Sequence, residues 1–263
     1  MAISGLVSIS FRSLEVAQVI ALAQQAGLGS IEWGGDVHVP PGDVETAQRV
    51  AAATAKAGLT VSAYGSYYRV GVSETADEPL RFADVLASAR ALGAPWIRVW
   101  AGRGGSAQAD AAAWAAVVAD SKRIADLAGA AGIRIAYEYH GGTLTDSNDS
   151  AQRLLDAVDH PQVYSYWQPP NRQDVDYCLA GLQALLDRKR LANLHVFHWT
   201  FEPEQIRHPL AAGAEPWSRY LAAIAAADPE TERCYSLEFI RGDDAAQCCE
   251  DAATLSAWLA GKA

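Results

Sequence analysis

Residues 131–140 read Ala-Gly-Ile-Arg-Ile-Ala-Tyr-Glu-Tyr-His. Ala131-Gly132 closes a long Ala-rich amphipathic stretch, because glycine accepts the left-handed backbone that ends a helix. Ile133 to Tyr137 is short and mostly apolar, as a strand buried on both faces of a sheet should be. It runs directly into Glu138-Tyr139-His140, so an apolar strand ends in side chains that can do chemistry. The same helix stop recurs at Ala26-Gly27, Ala57-Gly58 and Leu92-Gly93, each time a few residues before another short apolar run.

Outward from this stretch the pattern repeats along the chain. Strands are predicted at Leu6 to Ile9, Ser30 to Trp33, Val61 to Tyr64, Trp96 to Trp100, Ile133 to Tyr137, Val163 to Trp167, Leu194 to Phe197 and Ser236 to Ile240, with amphipathic helical stretches between them. Eight βα units with no shift of composition predict an α/β fold, a single (β/α)8 barrel in one domain over residues 1–263. The rival doubly wound sheet needs a Gly-rich phosphate loop after its first strand, and Ser10-Phe11-Arg12-Ser13 stands there instead. Gly102-Arg103-Gly104-Gly105 follows the fourth strand and lacks that spacing.

Half of the 263 residues are hydrophobic and 20% are charged, which supplies a large core. The net charge of −10, with no run of Lys or Arg, opposes nucleic-acid binding. The first ten residues lack the basic leader of a signal peptide, and no stretch reaches the roughly 18 apolar residues of a membrane span, so a cytoplasmic place is expected. The four cysteines, Cys178, Cys234, Cys248 and Cys249, show no CxxC spacing and are expected to be reduced.

In such a barrel the C-terminal ends of the strands open into one cup. The unusual residues collect there: Glu32-Trp33-Gly34-Gly35-Asp36-Val37-His38, Glu138-Tyr139-His140, Trp167-Gln168, His195-Val196-Phe197-His198-Trp199 and Glu238-Phe239-Ile240-Arg241. Glu138, Gln168, His195 and Glu238 form a candidate ligand set for a divalent cation. Their carboxylate, amide and imidazole donors suit Mn²⁺, Mg²⁺ or Co²⁺ best, with Zn²⁺ a further candidate. His195 and His198 are an odd number of positions apart and cannot both face inward on a regular strand, which favours His195 as the ligand. Glu32, Trp33, His38, Tyr68, Trp100, His140, Trp167, His198, Arg207 and Arg241 are the candidate substrate contacts, aromatic faces for C–H surfaces and polar heads for hydroxyls or an acidic group. Arg207-His208-Pro209-Leu210, followed by Gly213 and Trp217, is a candidate lid.

The order of these segments resembles the xylose isomerase-like barrel superfamily. The resemblance rests on the Ile31-Glu32-Trp33 second strand, Glu138 ending the fifth, the His195-Val196-Phe197-His198 seventh strand and Glu238 in the eighth. It departs at the sixth strand, where Gln168 stands in place of an acidic ligand and lowers the charge of the set. It implies a metal-assisted isomerase or epimerase acting on a monosaccharide or sugar derivative through an enediolate, with Glu138 and Glu238 as the paired proton-transfer groups, and it implies pairing into a homodimer. A lyase or dehydratase on a keto-sugar or keto-inositol shares the same intermediate. The other readings are a repair nuclease, disfavoured by the acidic charge and too few His and acidic ligands, and a metal-free sugar-binding barrel.

Overall fold

The computed structural model describes residues 2–201 and 203–261. Eight parallel strands close a barrel: β1 (Ala2–Val7), β2 (Ser30–Gly34), β3 (Thr60–Arg69), β4 (Trp96–Trp100), β5 (Arg134–Glu138), β6 (Val163–Trp167), β7 (Leu191–Val196) and β10 (Arg233–Leu237). Around the ring the order is β1-β10-β7-β6-β5-β4-β3-β2, so each strand lies beside its sequence neighbours and the last meets the first. The outer ring is α1 (Val16–Gln25), α2 (Val44–Lys56), α3 (Phe82–Leu92), α4 (Ala111–Ala130), α5 (Asn148–Val158), α6 (Val175–Asp187), α7 (Ala214–Ala227) and α8 (Ala245–Leu259). The expected helix stops hold, since Gly27, Gly58, Gly93 and Gly132 all have φ between 70° and 76°. Among the described residues no helix is long and apolar enough to cross a membrane.

Strand alternation separates two apolar cores. Ile97, Val99, Ile135, Tyr137, Val163 and Trp167 face outward into the large core between strands and helices. Ala63, Trp96, Ala136, Tyr166 and Ala192 form a second, small cluster inside the barrel. This plug supports the polar layer above it, to which the next inward positions of the strands contribute.

Several expected boundaries move. β1 ends at Val7 and Ser8–Phe11 is a 3-10 turn, β3 continues to Arg69, and β7 starts at Leu191 and stops at Val196. β10 ends at Leu237, which leaves Glu238 one residue beyond it, its N–H still donating to Val196 O at 3.1 Å. Of the candidate lid, Arg207 and His208 end a hairpin in which β8 (His198–Phe201) pairs antiparallel with β9 (Gln205–His208), Leu210 to Gly213 form a 3-10 turn, and Trp217 lies in α7. Trp217 anchors the base of the hairpin by donating from Nε1 to Phe197 O at 2.9 Å.

Candidate active site

Six of the eight barrel strands each supply one side chain to a buried polar layer. Glu32 comes from β2, Arg98 from the middle of β4, Glu138 from the end of β5, Gln168 from just past β6, His195 from β7 and Glu238 from just past β10. All six are at most 7% exposed. Charged groups this deep require partners.

The imidazole of His195 is the hub. Its Nε2 lies 3.1 Å from Glu32 Oε2. Its Nδ1 faces Gln168 Oε1 at 3.1 Å, Glu238 Oε2 at 3.1 Å and Glu138 Oε1 at 3.8 Å. One N–H cannot satisfy three oxygens, and Glu238 Oε2 is left buried with no hydrogen-bond partner among the described residues. Gln168 is oriented by its amide nitrogen, which donates to Tyr139 O at 2.7 Å and turns Oε1 toward the histidine. Ligand atoms of Glu138, His195 and Glu238 lie within 4.8 Å of one another. Two carboxylate oxygens and an amide oxygen thus gather about His195 Nδ1, and the orphaned Glu238 oxygen is what a cation would satisfy. The donor set fits a divalent metal ion, with Gln168 supplying a neutral oxygen where an acid would add charge.

Arg98, not anticipated from the sequence, supplies the compensating charge. Its guanidinium donates from Nε to Glu32 Oε1 at 2.5 Å and also pairs with Glu138 Oε2. Trp100 Nε1 donates to that same Glu138 oxygen at 2.6 Å. Burial alone would raise the pKa of Glu32, but Arg98 and His195 pull it down to about 2. Glu138 is likewise held below the ordinary carboxylate range, Arg98 and His195 outweighing burial. Burial opposes the charged imidazole too, yet the Glu238 and Glu32 carboxylates push His195 up to about 10.

These shifts set a pH dependence for protein stripped of metal. The raised His195 pKa gives stabilisation that is complete below its ordinary 6.5 and lost as pH climbs through about 10. The lowered Glu32 pKa gives stabilisation that is complete above its ordinary 4.5 and lost as pH falls through about 2. Chelator-treated protein should therefore melt at a higher temperature at pH 6 than at pH 9 in differential scanning calorimetry. A cation held at this cluster would take the place of the His195 proton, and saturating Mn²⁺ would then reduce that difference.

The rim is aromatic. Tyr67 and Trp100 meet edge to face with centroids 5.1 Å apart, Arg98 lies 5.9 Å from the centre of the Tyr67 ring, and Arg12 donates to the Tyr67 hydroxyl at 2.7 Å. His140 leans on Trp100 at 4.8 Å and donates from Nδ1 to Gly141 O. Phe239 packs against Trp199 at 4.8 Å and Phe197 at 5.4 Å. Tyr67 and Phe239 have φ of 58° and 53°, a left-handed strain that non-glycine residues keep where the surroundings impose it, often at functional sites.

The expected ligands Glu138, Gln168, His195 and Glu238 come together, with Trp100 and His140 beside them. The expected substrate contacts of five other residues need correction. Trp33 donates to Thr54 Oγ1 on α2, Tyr68 packs on Phe82 and bonds Asp120, and Trp167 lies against Trp217 and Tyr220. His38 bonds Leu14 O beside Trp33, and Glu32 is sealed beneath the cup by Arg98 and His195. Alternation explains two of these, because Trp33 and Trp167 are each one residue from an inward side chain, Glu32 and Gln168, and so face the helices. His198 sits on the hairpin against His208, ring centroids 5.5 Å apart, with burial and His208 lowering its pKa. Arg207 is bound to Asp243 and Arg241 to Gln247, both outside the buried cluster. Arg98 had a sequence signal of the same kind, a lone charge inside Trp96-Ile97-Arg98-Val99-Trp100 two residues from Trp100.

Comparison with known proteins adds to this geometry. The model of the xylose isomerase-like TIM barrel family matches residues 20–251. No curated protein sequence matches the chain significantly. Among solved structures, the probable 3-DHS dehydratase AsbF from Bacillus anthracis is 21% identical with a TM-score of 0.77, the match covering 97% of this chain and 99% of that one. An L-ribulose 3-epimerase is 16% identical with a TM-score of 0.71, covering 98% and 94%. A xylose isomerase-like TIM barrel protein from Mycobacterium smegmatis, solved in complex with magnesium, is 15% identical with a TM-score of 0.75, covering 99% and 98%. At these identities the structural likeness speaks for the fold.

Proposed function

The chain belongs to the xylose isomerase-like TIM barrel family, and from that membership we propose that it is a divalent-metal-assisted isomerase or epimerase of a monosaccharide or close sugar derivative, working through an enediolate. The observation that carries this reading is the pair of carboxylates flanking His195, one of which, Glu238, presents a buried oxygen with no hydrogen-bond partner. Glu138, Gln168, His195 and Glu238 would hold the ion, which when bound polarises the substrate oxygens and stabilises negative charge as it develops.

The chain's own residues divide the proton work unequally. Glu138 is tied through Oε2 to Arg98 and Trp100 and is held ionised, so it anchors. Glu238 is free of such bonds and is the group that can take a proton from the carbon next to the substrate carbonyl. Returned by Glu238 to the neighbouring carbon, that proton gives isomerisation; epimerisation needs a second proton on the opposite face, which Glu138 Oε1, facing the Gln168 amide at 3.3 Å, could deliver only after taking one from solvent, Glu238 keeping the proton it removed. Tyr67, Trp100 and Phe239 form the apolar walls against which a sugar ring would rest.

The same asymmetry favours one second reading, a lyase. Elimination needs a single mobile carboxylate, because Glu238 can pass the proton it has taken to a departing β-hydroxyl on the same face. Both readings meet one test: Mn²⁺-loaded protein incubated with a panel of ketoses and keto-sugars in D₂O, followed by NMR and mass spectrometry. Deuterium at the carbon beside the carbonyl is expected, with retained mass apart from the label for isomerisation and with loss of water for elimination. Absence of exchange across the panel with Mn²⁺, Mg²⁺ and Co²⁺ would remove the proton-transfer reading.

A further inference from the structure

We propose that Glu32 and Arg98 are positioning residues that fix the tautomer of His195, so that Nε2 keeps its hydrogen and Nδ1 is the nitrogen offered to a metal ion. The inference rests on the metal-assisted reading above and adds to it the residues that aim the ligand.

The argument is one of donors and acceptors. Glu32 Oε1 is taken by Arg98 Nε at 2.5 Å, and its other oxygen meets His195 Nε2 at 3.1 Å. A carboxylate paired with guanidinium offers only acceptor sites, so the nitrogen facing it must carry hydrogen. Nδ1 faces three oxygens, which belong to Gln168, Glu238 and Glu138. Neutral imidazole has one N–H, and with that hydrogen held at Nε2 the lone pair at Nδ1 points into the oxygen cluster.

The pair joins two ligands by a route outside the metal site: Glu138 to Arg98, Arg98 to Glu32, and Glu32 to His195. Arg98 also holds Glu138 Oε2, which leaves Oε1 as the oxygen nearer Nδ1. The fold makes room for this arrangement at Gly65 on β3. A Cβ there would lie 2.6 Å from an Arg98 terminal nitrogen and 3.1 Å from Glu32 Oε1, so any side chain at that position pushes the pair aside. Carboxylate partners of this kind orient metal-bound histidines and raise their basicity, and losing one typically weakens metal binding about 10–100-fold.

The test uses full-length protein labelled with ¹⁵N-histidine, together with Mn²⁺ titrations of the wild type, Glu32→Gln and Gly65→Ala. In Mg²⁺-loaded wild type, the His195 ring should show hydrogen on Nε2 and none on Nδ1. Both variants should bind Mn²⁺ about 10–100-fold more weakly, and Gly65→Ala should do so with every charge of the site retained. The wild-type NMR reading stands even where a variant folds poorly. Hydrogen on Nδ1 in the loaded wild type, or wild-type Mn²⁺ affinity in both folded variants, would overturn the inference alone. Failure of the wild type to bind Mn²⁺ or Mg²⁺ would overturn the metal-centre reading and this inference with it.

Discussion

Arg98→Met should lower the unfolding free energy by about 3–5 kcal/mol at pH 8, the loss expected when one member of a buried ion pair is removed and its partners stay charged. That is a large share of the roughly 5–15 kcal/mol that a natural domain has in total. Methionine is unbranched and nearly as long, so it fills much of the space and isolates the charge. The guanidinium is 2% exposed and bridges Glu32 and Glu138, themselves 0% and 4% exposed, so water cannot take its place. Without it, burial becomes the dominant influence on both carboxylates and raises their pKa values. The variant then recovers stability as falling pH protonates them, and the deficit should be smaller at pH 5 than at pH 8. Urea unfolding of wild type and variant at both pH values, in the presence of a chelator, measures this directly. An equal deficit at both would assign the effect to packing, and a deficit below about 1 kcal/mol at both would place Arg98 among ion pairs of little net value.

Arg98 also shows where the sequence was less legible. The barrel follows from a repeated helix stop and short apolar runs, both local signals that the folded chain preserves. The Glu138, Gln168, His195 and Glu238 set follows from position at strand ends, and even the choice of His195 over His198 comes from counting odd and even. The side chains that balance those ligands lie one layer deeper, inside the strands, where attention to strand ends passes over them. Glu32 is legible as an acid, but its burial against Arg98 depends on β2 and β4 flanking β3 in the closed ring, with Gly65 of β3 leaving room between them, which no local pattern contains. β7 begins earlier than expected because Asn193, of a type uncommon in strands, is used within one: it accepts from Cys234 N at 2.9 Å and donates to the Tyr166 hydroxyl at 2.8 Å. Pairing across the sheet satisfied a residue that looked like loop. The hairpin of β8 and β9 was hidden for a similar reason, since Gln205-Ile206-Arg207-His208 has too few apolar residues to read as a strand by itself.

Glu238→Gln should reduce turnover by about 100-fold to 10,000-fold at saturating Mn²⁺, the range associated with removal of a general base. The expectation follows from the contrast between the two carboxylates of the site. Glu138 Oε2 receives Arg98 and Trp100, so amidation there leaves a buried guanidinium short of a counter-charge and should cost stability as well as activity. Glu238 Oε2 receives no hydrogen bond, and its 3.1 Å approach to His195 Nδ1 is the attraction that amidation removes. Glu32 remains to hold the ring. Glu238→Gln should therefore stay closer to wild-type stability than Glu138→Gln, and the comparison separates a mobile group from an anchored one. An amide oxygen is also a poorer ligand than a carboxylate, so the variant should carry less metal when purified. The deciding measurement is the rate of deuterium exchange into a turned-over substrate as Mn²⁺ is raised until elemental analysis shows equal occupancy in variant and wild type. If exchange stays depressed at equal occupancy, Glu238 moves the proton. If exchange returns with the metal, Glu238 acts as a ligand only, and the base has to be sought among the groups of the rim, with His140 beside Trp100 the first to replace.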